Sequence, residues 1–494
     1  MNNIKEALNQ KTPLKDIIFY SIGEGASSLA MNGIANFAML YYTKVLGLSA
    51  KFAGLALFIT LIWDAVTDPV MGHITDNTRS RFGRRHPYIL IGGLVLAISV
   101  FFLWFVPEAF TTPVRLFWYI LVINLFVRTA ATVFMVPYTA LGFEICTNYE
   151  ERSKLQSVRF FLNQIVNFVG GALAWPIFFK DQFTTEGLRI DGTTIEANYY
   201  HVGIFLAVGS IIAVLVCVFF TRKYAYDTSK SLTTHNELGA FLKDFKETIS
   251  DKFAVIVFAC FGIASLGMCI VSQIQMFTYV DFMQFTARHK FFAHGGGMLA
   301  FALGSLLQAK LVTILDKKPA AYIGIAVCVI ANIMLMIIFI GGILPPETFW
   351  KFAGIDIPIS VIVFAIFQAS WWGGCGMLVP LSLSMIADIS EINYLKTGVL
   401  KDGSYSAVYS FVTKAAMGVG FLINGWLLSS VGYIAGAETQ TAEVIRRIAF
   451  LTFTCGPIIT LLMIPFIYYY PIDRKFMADV KIKLAEKLQQ SKNP

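Results

Sequence analysis

Trp63-Asp64-Ala65-Val66-Thr67-Asp68-Pro69-Val70-Met71-Gly72 sets two carboxylates inside an apolar run of membrane-spanning length, where an ionised acid is costly unless something compensates it. Asp64 and Asp68 stand at i and i+4, so both reach one face of a helix. Like charges that close repel, and a shared Na⁺, H⁺ or H₃O⁺ relieves the repulsion. The structural alternative is a buried network with Arg or Lys. Acids inside membrane spans are rare and mark ion pathways, which favours a coupling-ion site.

Outward from this stretch, the 494-residue chain is 56% hydrophobic and 14% charged, far below the roughly 25% charge of soluble domains. It reads as a polytopic membrane protein. The net charge of +8 comes from basic residues in short loops between apolar runs, so it signals topology and not a nucleic-acid partner. Seven cysteines show no spacing for a metal site or a disulfide framework. The polar start, Met1 to Lys15, lacks the features of a cleaved signal peptide, so the first span is expected to remain.

Apolar stretches of about 20 residues predict an all-α membrane protein with twelve transmembrane helices, at 17–43, 51–73, 87–107, 114–142, 156–179, 201–221, 253–280, 290–314, 319–343, 357–388, 404–431 and 446–470. The longest polar interruption divides them into bundles of six. The expected organisation is therefore 1–220, a linker at 221–252, 253–471, and a tail at 472–494 that is either an amphipathic helix or disordered. The loops on the N-terminal side hold the greater share of Lys and Arg, which predicts cytoplasmic N and C termini.

Lys310 lies near a span end and can snorkel, whereas Arg128, Arg159 and Lys414 sit deeper. Arg128, Thr132, Met135 and Thr139 form one helical stripe, and Glu24 lies one turn before Ser28. Arg128 either faces a substrate or pairs with Glu24. Gln368, Tyr409, Ser410 and the Trp371-Trp372 pair are candidates for a sugar-binding face, and Trp175 is expected in interfacial packing. After Gly72 the chain turns through a basic loop with Asp76, Arg79, Arg81, Arg84 and Arg85. Such a loop forms a charge lock that closes and breaks as a transporter changes face, or merely fixes topology. Asp388 and Glu391, near Lys396 and Lys401, are expected to end the tenth span, either as a second lock or as mobile surface salt bridges.

The motifs WDAVTDPVMG and RSRFGRR, with Tyr42–Leu48 before them and Lys414 far downstream, resemble the glycoside-pentoside-hexuronide cation symporter family of the major facilitator superfamily, in its melibiose permease-like branch. The resemblance covers nearly the whole chain. It implies a major facilitator fold and sugar symport by alternating access. It assigns cation binding to Asp64, Asp68 and Thr132, with Thr67 where that branch has asparagine, and cavity roles to Arg159 and Lys414. The acids that grip galactosyl hydroxyls in that branch align with Ser28 and Met135, and its stacking tryptophan with Thr139. Losing two acids while gaining Arg128 points to an anionic substrate, a uronide or a sulfonated sugar.

The expectation is thus a cation-coupled carrier in the cell inner membrane, monomeric, using Na⁺ or H⁺ and no other metal or cofactor, with a sugar or glycoside and the lipid bilayer as partners. A lysolipid symporter of the same fold is the rival. An enzyme is not expected, because no nucleophile or His/Cys metal pattern is present.

Overall fold

A computed structural model of the chain describes residues 12–146, 149–225, 245–346, 348–352, 355–398, 402–437 and 439–492. Helix dominates, as it must where backbone N–H and C=O groups find no water and have to pair within their own segment. Eleven helices among the described residues are long and apolar enough to cross a membrane, beginning with Ala50–Asp76, His86–Trp104 and Pro113–Gly142. The first span precedes them as a rod in pieces, Leu14–Ile22, Glu24–Gly33 and the π-turns Ile34–Ala38 and Tyr41–Val45. The expected twelve are therefore present. The fourth span runs over Pro113–Ile145. The fifth is Tyr149–Asn167 continued by a π-turn at Phe168–Ala172.

Three details depart from the expected layout. The tenth helix is Ile359–Thr397 and stops only at Gly398, whose φ of 73° takes the left-handed conformation that ends helices. Asp388 and Glu391 consequently lie inside that helix and do not terminate it. Two small antiparallel pairings occur in loops, Gln182–Phe183 with Arg189–Ile190 and Trp350–Phe352 with Ile355–Ile357. The tail forms a helix, Arg474–Lys492, while most of the linker, with Lys230 and Lys243, and also Lys401, lie outside the described residues.

The chain divides into two compact units. The first comprises Met1–Asn236 together with Thr286–Phe291 and Leu428–Thr439, and the second comprises the remainder. The core of the first gathers Ile17, Tyr20, Ile89, Phe134, Tyr138 and Val214. Tyr20 and Tyr138 stack at 4.5 Å, and each hydroxyl donates to the other's backbone carbonyl at 2.9 and 3.0 Å. These mutual bonds satisfy two polar groups that burial would otherwise leave costly. Gly23 permits this approach, since a Cβ there would stand 2.7 Å from the Tyr138 ring. In the second unit the core gathers Val257, Ile325, Trp371, Leu378, Val408 and Met463. Outward positions such as Val66, Phe126, Ile212 and Leu306 are exposed and apolar, as a lipid-facing surface requires.

Candidate functional site

The second and fourth spans bring the predicted oxygens together. Thr132 Oγ1 lies 2.9 Å from Asp64 Oδ1 and 3.0 Å from Asp68 Oδ1, and Thr67 Oγ1 lies 3.4 Å from Thr132 Oγ1. Trp63 Nε1 donates to Thr129 Oγ1 at 2.9 Å and fixes the two helices beside this cluster. Asp64 is 6% exposed. Arg128 approaches the same carboxylate, with Nη1 3.7 Å from Asp64 Oδ2, which is ion-pair range but beyond a hydrogen bond. Its Nε is buried without a hydrogen-bond partner. The alternative pairing of Arg128 with Glu24 does not form. Of the other stripe residues, Met135 packs against the hydrophobic core and Thr139 is half-buried.

Glu24 belongs to a second assembly, between the first and fifth spans. It accepts a charge-assisted hydrogen bond from Arg159 Nε, and the Arg159 guanidinium also lies over the Tyr138 ring at 5.2 Å. Next along the helices, Asn163 Nδ2 donates to Ser28 Oγ at 2.7 Å and to Glu24 Oε1 at 3.4 Å. Asn167 Nδ2 donates to Asn163 Oδ1 at 2.9 Å and to Gln164 Oε1 at 3.2 Å, and Asn32 donates to Asn167 Oδ1. Asn36 donates to the Asn32 carbonyl at 3.0 Å. Sequence reasoning found Glu24, Ser28 and Arg159 but missed the amides, although Glu24, Ser28, Asn32 and Asn36 recur every four residues, as do Arg159, Asn163 and Asn167.

The remaining candidates separate. In the second unit Gln368 and Gln275 are bonded side chain to side chain, and Trp372 Nε1 donates to Gln275 Oε1 at 3.3 Å. Tyr409 stacks on Phe261 at 4.1 Å, and Lys414 is half-buried in the eleventh span. Trp175 is wholly buried and packs against Phe37 and Phe179.

Around the basic loop, Arg85 Nη2 pairs with Asp76 Oδ1 at 2.6 Å, and Arg84 and Arg85 both reach Glu144 Oε1, at 2.7 and 3.1 Å. Glu144, unforeseen, arrives from the end of the fourth span. Arg81 is exposed outside this group. Asp388 pairs with Lys317, also unforeseen, whereas Glu391 Oε2 is buried without a hydrogen-bond partner.

A further charged cluster went unread in the sequence. Lys290, fully buried, pairs with Asp191 and lies 5.3 Å from the Trp175 ring centre, while Arg189 bridges Asp181 at 3.0 Å and Asp191 at 3.6 Å. Burial alone would raise the Asp191 carboxyl pKa, but the Lys290 ammonium and the Thr193 hydrogen bonds outweigh it and hold the group below the usual carboxylate range.

Eleven long apolar helices among the described residues and a segmented first span, with two acids and a shared hydroxyl inside them, make an integral membrane protein of the major facilitator fold. A family model described as MFS/sugar transport protein matches residues 19–474. The chain belongs to that family, which is the family of glycoside-pentoside-hexuronide-type sugar symporters. The isoprimeverose transporter of Lactiplantibacillus pentosus is 25% identical, covering 96% of this chain and 92% of its own. The glucuronide carrier protein homolog of Escherichia coli (strain K12) is 23% identical over 98% of each. Among solved structures, a point mutant of the nucleoside transporter NupG aligns with a TM-score of 0.61 at 12% identity, covering 91% of this chain and 99% of that one, a likeness of fold.

Proposed function

We propose that the protein is a symporter that couples Na⁺ or H⁺ to the uptake of a sugar or glycoside by alternating access. Asp64, Asp68, Thr67 and Thr132 hold the cation. The observation that carries this reading is the placement of Thr132. Its hydroxyl owns one proton, yet stands within hydrogen-bond distance of two carboxylates. It donates to one, and a cation at the junction makes the second approach favourable as well. An all-oxygen donor set suits a hard cation.

The sugar contacts belong to the face of Arg159, Glu24, Ser28 and the amides. An acidic sugar is the favoured class, because Arg128 adds a guanidinium whose buried Nε is unused and because a relative is named a glucuronide carrier homolog. Placement in the cell inner membrane with both termini cytoplasmic is part of the same reading, and rests on the basic loops.

The test is accumulation of radiolabelled neutral sugars, glucuronides and lysolipids by proteoliposomes under an imposed Na⁺ or H⁺ gradient. Gradient-driven accumulation of a glucuronide above its neutral counterpart is the expected result. Accumulation of lysolipid alone, or sugar flux indifferent to both gradients, overturns the proposal.

A further inference from the structure

Arg128 lies on the fourth span one turn from Thr132, so a single helix face presents both a fixed positive charge and the cation cluster's hydroxyl. Its pairing with Asp64 at 3.7 Å is electrostatic, without a hydrogen bond. The planar guanidinium carries five donors suited to bidentate capture of a carboxylate or sulfonate, and at least its Nε, buried, is unsatisfied. A buried donor left unmade is a standing cost, which a ligand anion would relieve. Arg128 is therefore attached to Asp64 by charge and keeps at least one hydrogen-bond donor unmade.

We infer that Arg128 is the element that couples substrate to cation: an anionic group on the sugar draws the guanidinium's charge away from Asp64, and a cation then takes its place at Asp64, Asp68 and Thr132. This rests on the symporter reading above and adds to it the residue through which the two sites communicate. The ligand-free and doubly bound states carry the same net charge, with the Asp68 carboxylate leaving one negative charge in each. Without ligands, Arg128 compensates Asp64. With both bound, Arg128 compensates the substrate anion and the cation compensates Asp64. With the anion alone, Asp64 loses its guanidinium in a low-dielectric setting, an expensive arrangement. Binding of the acid thereby raises cation affinity, and linkage requires the cation to raise acid affinity by the same factor. A neutral sugar leaves Arg128 on Asp64 and gains nothing by this route.

The experiment measures the half-saturating concentration of Na⁺, or of H⁺ where that is the coupling ion, for purified protein in proteoliposomes. It does so without sugar, with a glucuronide, and with the neutral glucoside of the same aglycone. In the native protein the glucuronide is expected to raise cation affinity 5-fold or more, within the range usual for coupled sites, and the glucoside less than 2-fold. In Arg128→Gln, cation affinity without sugar rises, because a resident competitor is gone, and the glucuronide no longer exceeds the glucoside. Arg128→Lys retains the charge without the fork and keeps an intermediate difference. Equal linkage by both sugars in the native protein overturns the inference and needs no variant. So does a glucuronide advantage that survives unchanged in Arg128→Gln. Either result leaves the symporter reading standing, whereas absence of any cation effect on either sugar refutes both.

Discussion

Two helix faces of the first unit hold polar groups at membrane depth by different chemistry. The face between the second and fourth spans has two carboxylates, two hydroxyls and one guanidinium at ion-pair range. The face between the first and fifth spans couples its one carboxylate to one arginine through a direct hydrogen bond and fills the rest with amides. Amides both donate and accept, so they bond one another and also suit hydroxyl-rich ligands. Carboxylates only accept, so they call for a cation. The contrast teaches that a span can carry polarity in a self-sufficient form or in a form that demands a mobile partner, and only the latter suits ion coupling. A π-turn begins just beyond Asn32 and another just beyond Asn167. Such turns recur at functional sites.

The sharpest way to break the contrast is Asp68→Asn, which keeps shape and removes charge. Cation-driven accumulation is expected to vanish while protein still reaches the membrane, as read by uptake alongside surface labelling; intact cation stimulation would erase the distinction between the faces. Next comes Glu24→Gln, which strands the mostly buried Arg159 and is expected to cost about 3 kcal/mol, the low end for breaking a buried pair. Thermal unfolding in detergent measures it, and Glu24→Gln with Arg159→Gln together should recover much of the loss. A double variant no better than the single would mean that the two charges do not act as a pair. The smallest effect is expected of Asn163→Leu. Interhelical hydrogen bonds in membranes contribute about 0.6 kcal/mol each, so its loss of stability should be about 1–2 kcal/mol, with reduced sugar affinity and, measured without sugar, unchanged cation affinity. A shift in that sugar-free cation affinity would show that the faces are not separate.

The span count was legible because hydrocarbon forces helices of fixed length. The first span, cut at Gly23 and by two π-turns, hides part of its regularity. The cluster of Asp64, Asp68, Thr67 and Thr132 was legible because charges inside apolar runs stand out and four-residue spacing puts them on one side. The amides of Asn32, Asn163 and Asn167 carried the same spacing but no charge, and uncharged polar residues are easily passed over. Partner choice was least legible. A helical stripe tells which way Arg128 points, not whether Asp64 or Glu24 meets it, and nothing near Arg84 or Asp388 in sequence announces Glu144 or Lys317, since those partners come from other helices.

The buried pair of Lys290 and Asp191 joins residues 99 positions apart, and the first unit also includes Leu428–Thr439, where the Gly436 N–H donates to the Thr43 carbonyl at 2.9 Å. That unit is thus not one continuous length of chain. During synthesis, which releases domains from the N-terminal end onward, its hairpin waits for a lysine made far later, and the backbone bond to Thr43 waits for Gly436. A gene cut at the central linker would yield a leading fragment that keeps Arg189 beside Asp181 and Asp191 but lacks the Lys290 ammonium that pairs with Asp191, so this corner of the carrier is completed only after the second half has been made.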